Sequence, residues 1–143
     1  MVYVHLATGF EEVEALTVID LLRRADIEVK SVSITGEKRV MGTHNIPVEA
    51  DVVFEEADYS QCDMIVLPGG LPGADYLGEH EGLTAQIRDF AANDKYLAAI
   101  CAAPQVFGAQ GILEGKKATI YPSMEGCLTG AEPQDEIVVV DGK

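Results

Sequence analysis

Hydrophobic positions along the chain change period several times, and each change marks an element. Val2 to Leu6 is a near-continuous apolar run broken only by His5, the pattern of a strand covered on both faces. From Glu11 to Arg24 the spacing becomes helical, with Val13, Leu16 or Thr17, and Ile19 to Leu22 predicted as the apolar face. Acids open this helix and Arg23 and Arg24 close it, matching the helix dipole. Ile27 to Ile34 alternates as a strand does, and Arg39–Met41 and Ile46–Val48 read as short strands flanking an excursion at 42–45. Met64 to Leu67 is an all-apolar strand and Leu83 to Ala92 a helix. Leu97 to Ile100 is a further buried strand, followed by a helix from Ala103 to Ala109. Ala118–Tyr121 and Ile137–Val140 complete the predicted strands. The second of these is nearly all β-branched, which predicts a central position packed on both sides. Strands alternating with helices predict an α/β fold around a mostly parallel sheet with right-handed crossovers.

Composition narrows the function. The 143 residues, 48% hydrophobic, fit a single domain over 1–143. A formal charge of −14, from 24 acidic against 10 basic residues, argues against nucleic acid or an anionic membrane as partner. No apolar run approaches the ~20 residues that a membrane span needs. Cys62, Cys101 and Cys127 are too few and too scattered for a disulfide framework or a zinc cluster, so no metal is expected. An odd cysteine count and an N-terminus without a basic leader predict a cytoplasmic location. Asp141-Gly142 reads as a turn into another element. The chain is therefore expected to need a companion: either a separate fragment carrying the rest of the domain or an identical subunit.

Candidate chemistry centres on Cys101. An apolar strand, small residues and Pro104 predict a sharp strand-to-helix turn with the cysteine at its apex. A helix N-terminus there is expected to lower the thiol pKa and favour the thiolate, which makes Cys101 a candidate nucleophile. A buried structural cysteine is the alternative, and this segment alone does not choose between them. Glu11 and Glu12 read as solvated capping charges. Glu14 instead borders the apolar face, where loss of solvation favours a neutral acid. Gly69-Gly70 falls just past a strand, where open α/β sheets bind ligands, yet no phosphate-loop or dinucleotide spacing is present. His5 reads as a packed or surface-facing strand residue, without a functional role.

Three markers stand together: Gly-Phe-Glu-Glu-Val-Glu at 9–14, Leu-Pro-Gly-Gly at 67–70, and Ala-Ala-Ile-Cys-Ala-Ala-Pro at 98–104. In combination they closely resemble the ThiJ/PfpI superfamily. The likeness is greatest to its branch containing the Parkinson's-disease-associated redox-sensing protein and bacterial relatives. The resemblance implies a flavodoxin-like sandwich related to class I glutamine amidotransferases, usually a homodimer. It also implies that Cys101 is the nucleophile and redox-sensitive thiol, and that Glu14 is the acid beside it. Gly70 and Ala102 would be the backbone donors for a developing oxyanion. Arg23 or Arg24, and His44, would be polar groups near a dimer-related site. Two departures stand out. Tyr121 occupies the place of a histidine found in several members, and His5, His44 and His80 do not match it, which removes the base that peptidase chemistry needs. The strand, loop and long helix with which the family normally ends are also absent. The implied activity is a cofactor-free glyoxalase or deglycase acting on methylglyoxal-type aldehydes or on glycated side chains. A redox sensor or stress chaperone that uses the same cysteine is the alternative, and a binding domain with an inert site is a third.

Overall fold

The structure, a computed structural model, describes residues 1–143. Five strands form one all-parallel sheet: β1 (Val2–Leu6), β2 (Val29–Ser33), β5 (Val52–Val53), β6 (Met64–Leu67) and β7 (Tyr96–Ala99). Their order is β5-β2-β1-β6-β7, with β1 at the centre and Val4 opposite both Ser31 and Val66. The sheet reverses its winding between β1 and β6, so the carboxyl ends of these two strands flank the crevice where open α/β sheets hold ligands. A hairpin, β3 (Arg39–Met41) and β4 (Pro47–Glu49), stands beyond that edge.

Alternation along β1 divides the core into two layers. Val2, Val4 and Leu6 face helix α1 (Glu12–Arg24) together with Phe10, Ala15, Ile19 and Val66. Tyr3 and Ala7 face the other way, into a larger cluster. That cluster is completed by α2 (Gly73–Glu79), α3 (Glu81–Ala92) and α4 (Pro104–Ala109). His5 is fully buried, within 2.6 Å of the Tyr59 hydroxyl and stacked on its ring. Burial pushes its imidazole down to about 3, so it stays neutral, and of the two places left open for it, packed or surface-facing, it takes the packed one. No helix is long and apolar enough to cross a membrane.

Three expectations change. The buried stripe of α1 is Ala15, Val18, Ile19 and Leu22, at spacings of three and four, whereas Val13 (66% exposed), Leu16 and Leu21 look outward. Ala118–Tyr121 contributes only β8 (Lys117–Ala118), which pairs in parallel with β9 (Glu132–Pro133) in a small separate sheet. Ile137–Val140 is not a strand at all: Ile137 is 98% exposed, Val138 74% and Val140 82%. Its β-branched composition suits a sheet, but the run meets no strand to pair with. The open edge of β7 receives only Lys143, whose carbonyl accepts from the Leu97 N–H at 2.9 Å. Beside that edge, Val18, Leu22, Met64, Val66, Ala98, Ala99 and Ile100 line an apolar groove of about 200 Å³.

Candidate functional site

Cys101 caps the carboxyl end of β7 in the left-handed backbone region, at φ +60°. A residue with a side chain is strained there by about 1–3 kcal/mol, and it persists only where its surroundings hold it. They do so from both sides. The Ile100 N–H donates to the Leu67 carbonyl at 3.1 Å, and the Cys101 carbonyl accepts from the Tyr121 N–H at 2.8 Å. Pro104 opens α4 immediately afterwards, as expected from its missing N–H.

Glu14 projects from the first turn of α1 to the same point. Its Oε2 accepts from the Gly69 N–H at 2.7 Å, and that oxygen and the Cys101 sulfur border the same space, 2.5 Å and 3.2 Å from where a Cβ on Gly69 would stand. Gly69 is required here. A Cβ on it would stand 2.6 Å from the Cys101 Cβ and 3.2 Å from Sγ, driving acid and thiol apart. Gly70, at φ +89°, leaves no room for a side chain against the Glu11 nitrogen and the Gly9 carbonyl. Its N–H and that of Ala102 both act to favour the thiolate of Cys101. The structure thus brings Cys101, Glu14, Gly70 and Ala102 together. The sequence reading had not given Gly69 its part in orienting the acid. The glycine pair was the visible signal.

The thiol differs from its sequence expectation. Instead of being lowered by the helix terminus, its pKa is raised. Desolvation is the largest cause, followed by the charge and the hydrogen bond of Glu14; the Ala102 and Gly70 N–H groups pull the other way without prevailing. Cys62, wholly buried with its S–H on the Met64 carbonyl, is likewise raised by burial, and Cys127 is exposed.

The two remaining candidates lie elsewhere. Arg24 is ten residues along α1 from Glu14, about 15 Å at the helical rise, and pairs with Asp20 at 2.9 Å. Arg23 pairs with Asp51 at 2.9 Å. Within the chain neither arginine reaches Cys101. His44 fastens the hairpin to the start of α1, its Nδ1 lying 3.0 Å from Glu12 Oε2 and 3.2 Å from Glu11 Oε1. Glu12, expected to be solvated, is only 5% exposed, and its Oε1 accepts from the His44 N–H at 2.7 Å and the Ile46 N–H at 3.3 Å. Glu11, Glu12 and His44 place three potential metal-ligand atoms within 4.8 Å of one another, but the hairpin's own donors already occupy the Glu12 carboxylate.

This latch predicts a pH dependence. The Glu12 hydrogen bond, then the Glu11 charge, raise the His44 pKa. Its contribution to stability is therefore full below the unfolded value of about 6.5 and is lost as pH rises through the higher folded value. For Glu12, desolvation acts upward, yet hydrogen bonds from its own backbone, His44 and Ile46 outweigh it and lower the pKa, so its share is lost only in acid. Thermal melts of His44→Gln against the parent protein should show a larger Tm deficit at pH 6 than at pH 9; an equal deficit at both would refute the latch.

Comparison with known proteins gives three findings. The model of the DJ-1/PfpI family matches residues 1–143. Protein DJ-1 homolog B of Arabidopsis thaliana is 39% identical over 99% of the chain, which spans only 32% of that protein, and a deglycase of Thermococcus kodakarensis is 32% identical over 95% of the chain and 82% of its own length. The structure of oxidized Toxoplasma gondii DJ-1 superposes with a TM-score of 0.93 at 34% identity, covering 99% of this chain and 78% of that one.

Proposed function

Because the chain belongs to the DJ-1/PfpI family, we propose that it is a cysteine-dependent, cofactor-free glyoxalase or deglycase acting on small dicarbonyls and on their early adducts with side chains. The observation that carries this reading is a single cluster: a strained Cys101, the Glu14 carboxyl held beside it by the Gly69 N–H, and the adjoining backbone of Gly70 and Ala102. The deglycase from Thermococcus supports the same direction.

With methylglyoxal, Glu14 takes the thiol proton as sulfur bonds to the aldehyde carbon, so the nucleophile is generated during attack and need not be a standing thiolate. The carbonyl π electrons move to oxygen, which faces the two N–H groups and is protonated to the hemithioacetal. Having given the thiol proton to that oxygen, Glu14 removes the hydrogen from the same carbon and returns it to the neighbouring carbon, while the hydroxyl proton passes to the ketone oxygen. The first carbon is thereby oxidised to a thioester and the ketone reduced to an alcohol, with no external electron acceptor. Water cleaves the thioester to lactate and regenerates the thiol. For an adduct on an amine, the amine is the leaving group.

A second reading has the same geometry behind it and draws on the oxidized Toxoplasma relative. Two equivalents of peroxide would carry Cys101 to a sulfinate, held by the same N–H donors. Incubating purified protein with methylglyoxal in the absence of glutathione separates the two. Lactate accumulating over many turnovers supports the enzyme. No lactate, together with a peroxide-formed sulfinate at Cys101, supports the sensor instead.

A further inference from the structure

We propose that Thr43, at the tip of the β3–β4 hairpin, is a positioning residue for the Gly70 N–H, an assignment that rests on the nucleophilic reading of Cys101. The hairpin is then the outer support of the backbone donor, and Thr43 is the side chain through which it acts.

The strip from Pro68 to Pro72 joins β6 to α2 and belongs to neither. It carries the donor, yet its two glycines give it little stiffness of its own. Two side chains bond to it. Glu14 accepts from the Gly69 N–H at 2.7 Å, and the Thr43 hydroxyl donates to the Leu71 carbonyl at 3.2 Å. Gly70 lies between these two points, so one tether holds the residue before it and the other the residue after it. The remaining ties are to backbone: the Glu11 N–H on the Gly69 carbonyl at 2.9 Å and the Ala74 N–H on the Gly70 carbonyl at 2.8 Å are among them.

Thr43 serves as a tether because its own backbone is fixed. Its N–H donates to the Phe10 carbonyl at 2.8 Å, the Met41 carbonyl accepts from the Gly9 N–H at 2.8 Å, and Gly42 bridges to Phe10. On the next residues of the tip, Glu12 takes the N–H groups of His44 and Ile46, and a side chain on Gly42 would run into that carboxylate. The Gly9–Glu11 backbone thus has the hairpin on one side and Gly70 on the other, where a Cβ would collide with the Glu11 nitrogen and the Gly9 carbonyl. Three layers of backbone are stacked: hairpin tip, turn, donor strip. At Thr43 the outermost layer reaches past the turn to the strip itself. A donor aimed in advance stabilises a developing oxyanion because nothing need reorganise during reaction, and freedom in the strip forfeits part of that gain.

Thr43→Val keeps the branched shape and removes only the hydroxyl. The Leu71 carbonyl it frees is at an exposed hydrogen bond and takes water, so the strip loosens while the fold stands. Circular dichroism and sedimentation of the full chain are matched to the parent first. Lactate formation from methylglyoxal should then show kcat reduced by about three- to thirtyfold, a fraction of the 10²–10³-fold that loss of a whole oxyanion donor costs. KM should stay within about twofold, since the donor acts on charge that develops after binding. Thr43→Ser, which restores the hydroxyl, should recover most of the rate. The pH midpoint of Cys101 alkylation by iodoacetamide, followed by peptide mapping, should rise in Thr43→Val and return in Thr43→Ser, because the Gly70 N–H favours the thiolate. A merely structural threonine would lower Tm and leave that midpoint in place. Should the valine not fold, Thr43→Ala is read by the same two measurements. An unmoved midpoint in a folded variant, or kcat within twofold of an active parent, would overturn the proposal. A raised midpoint in a chain whose parent makes no lactate would keep Thr43 as the support of the donor and remove the enzymatic reading instead.

Discussion

Cys101→Ala is expected to reduce lactate formation from methylglyoxal by at least about a thousandfold, because no other group in the chain is placed to form the covalent adduct. Cys62 is buried behind the opposite layer, and Cys127 lies on an exposed turn without an acid bonded to it. The fold should survive. Both residues carry a Cβ, so the strain at φ +60° is unchanged, and a half-exposed sulfur leaves little cavity. Circular dichroism and thermal melts would verify this before the lactate assay is read. Retention of a tenth of the activity by a folded variant would exclude Cys101 as the nucleophile.

Glu14→Gln should move two observables in opposite directions. Turnover is expected to fall by about 10²–10⁴-fold, the usual contribution of a positioned acid–base group. The amide can still accept from the Gly69 N–H, so the local structure has no reason to open. At the same time, two of the three influences that raise the Cys101 pKa come from Glu14, and removing its charge lets the thiol ionise more readily. Iodoacetamide should therefore label Cys101 faster at pH 7 in the variant that turns over more slowly. A merely structural Glu14 would slow both or neither. Turnover within a factor of about two of the parent would show that the acid–base assignment is wrong.

The strands were legible wherever burial on both faces leaves a plain apolar run, as at Val2–Leu6 and Met64–Leu67. Helix α1 was legible in extent but not in rotation. Val13, Leu16 and Leu21 are as apolar as the residues that turn inward, and only packing against β1 and β6 decides which stripe is buried. Helix α2 escaped notice because it begins at Gly73 in a segment dominated by glycine and proline, where local preference points to a loop. The run at Ile137–Val140 misled for the converse reason: its composition favours a sheet that is not there to receive it. At the site, the motifs located Cys101, Glu14, Gly70 and Ala102. Their electrostatics were not legible, since burial of the thiol, and after it the influence of a carboxyl 87 positions away, outweighs the backbone N–H groups, and both depend on the folded packing. Glu12 is the same lesson in reverse. It lies in the acidic opening turn of a helix, yet the hairpin folds over it and supplies its hydrogen bonds.

The division of β1 between two layers bears on which genetic changes this fold can absorb. Val2, Val4 and Leu6 belong to one packing problem and Tyr3, His5 and Ala7 to another, so either side can be repacked by volume-conserving substitutions without consulting the other. A deleted or inserted residue in β1 is a different matter. The side-chain period of two would exchange the occupants of both layers at once, setting His5 beneath α1 without the Tyr59 hydroxyl and crowding Tyr3 into the space shaped for a valine. It would also shift Gly9 and Phe10 away from Gly70 and Gly73, against which they are stacked. Length, more than identity, is what the central strand cannot vary.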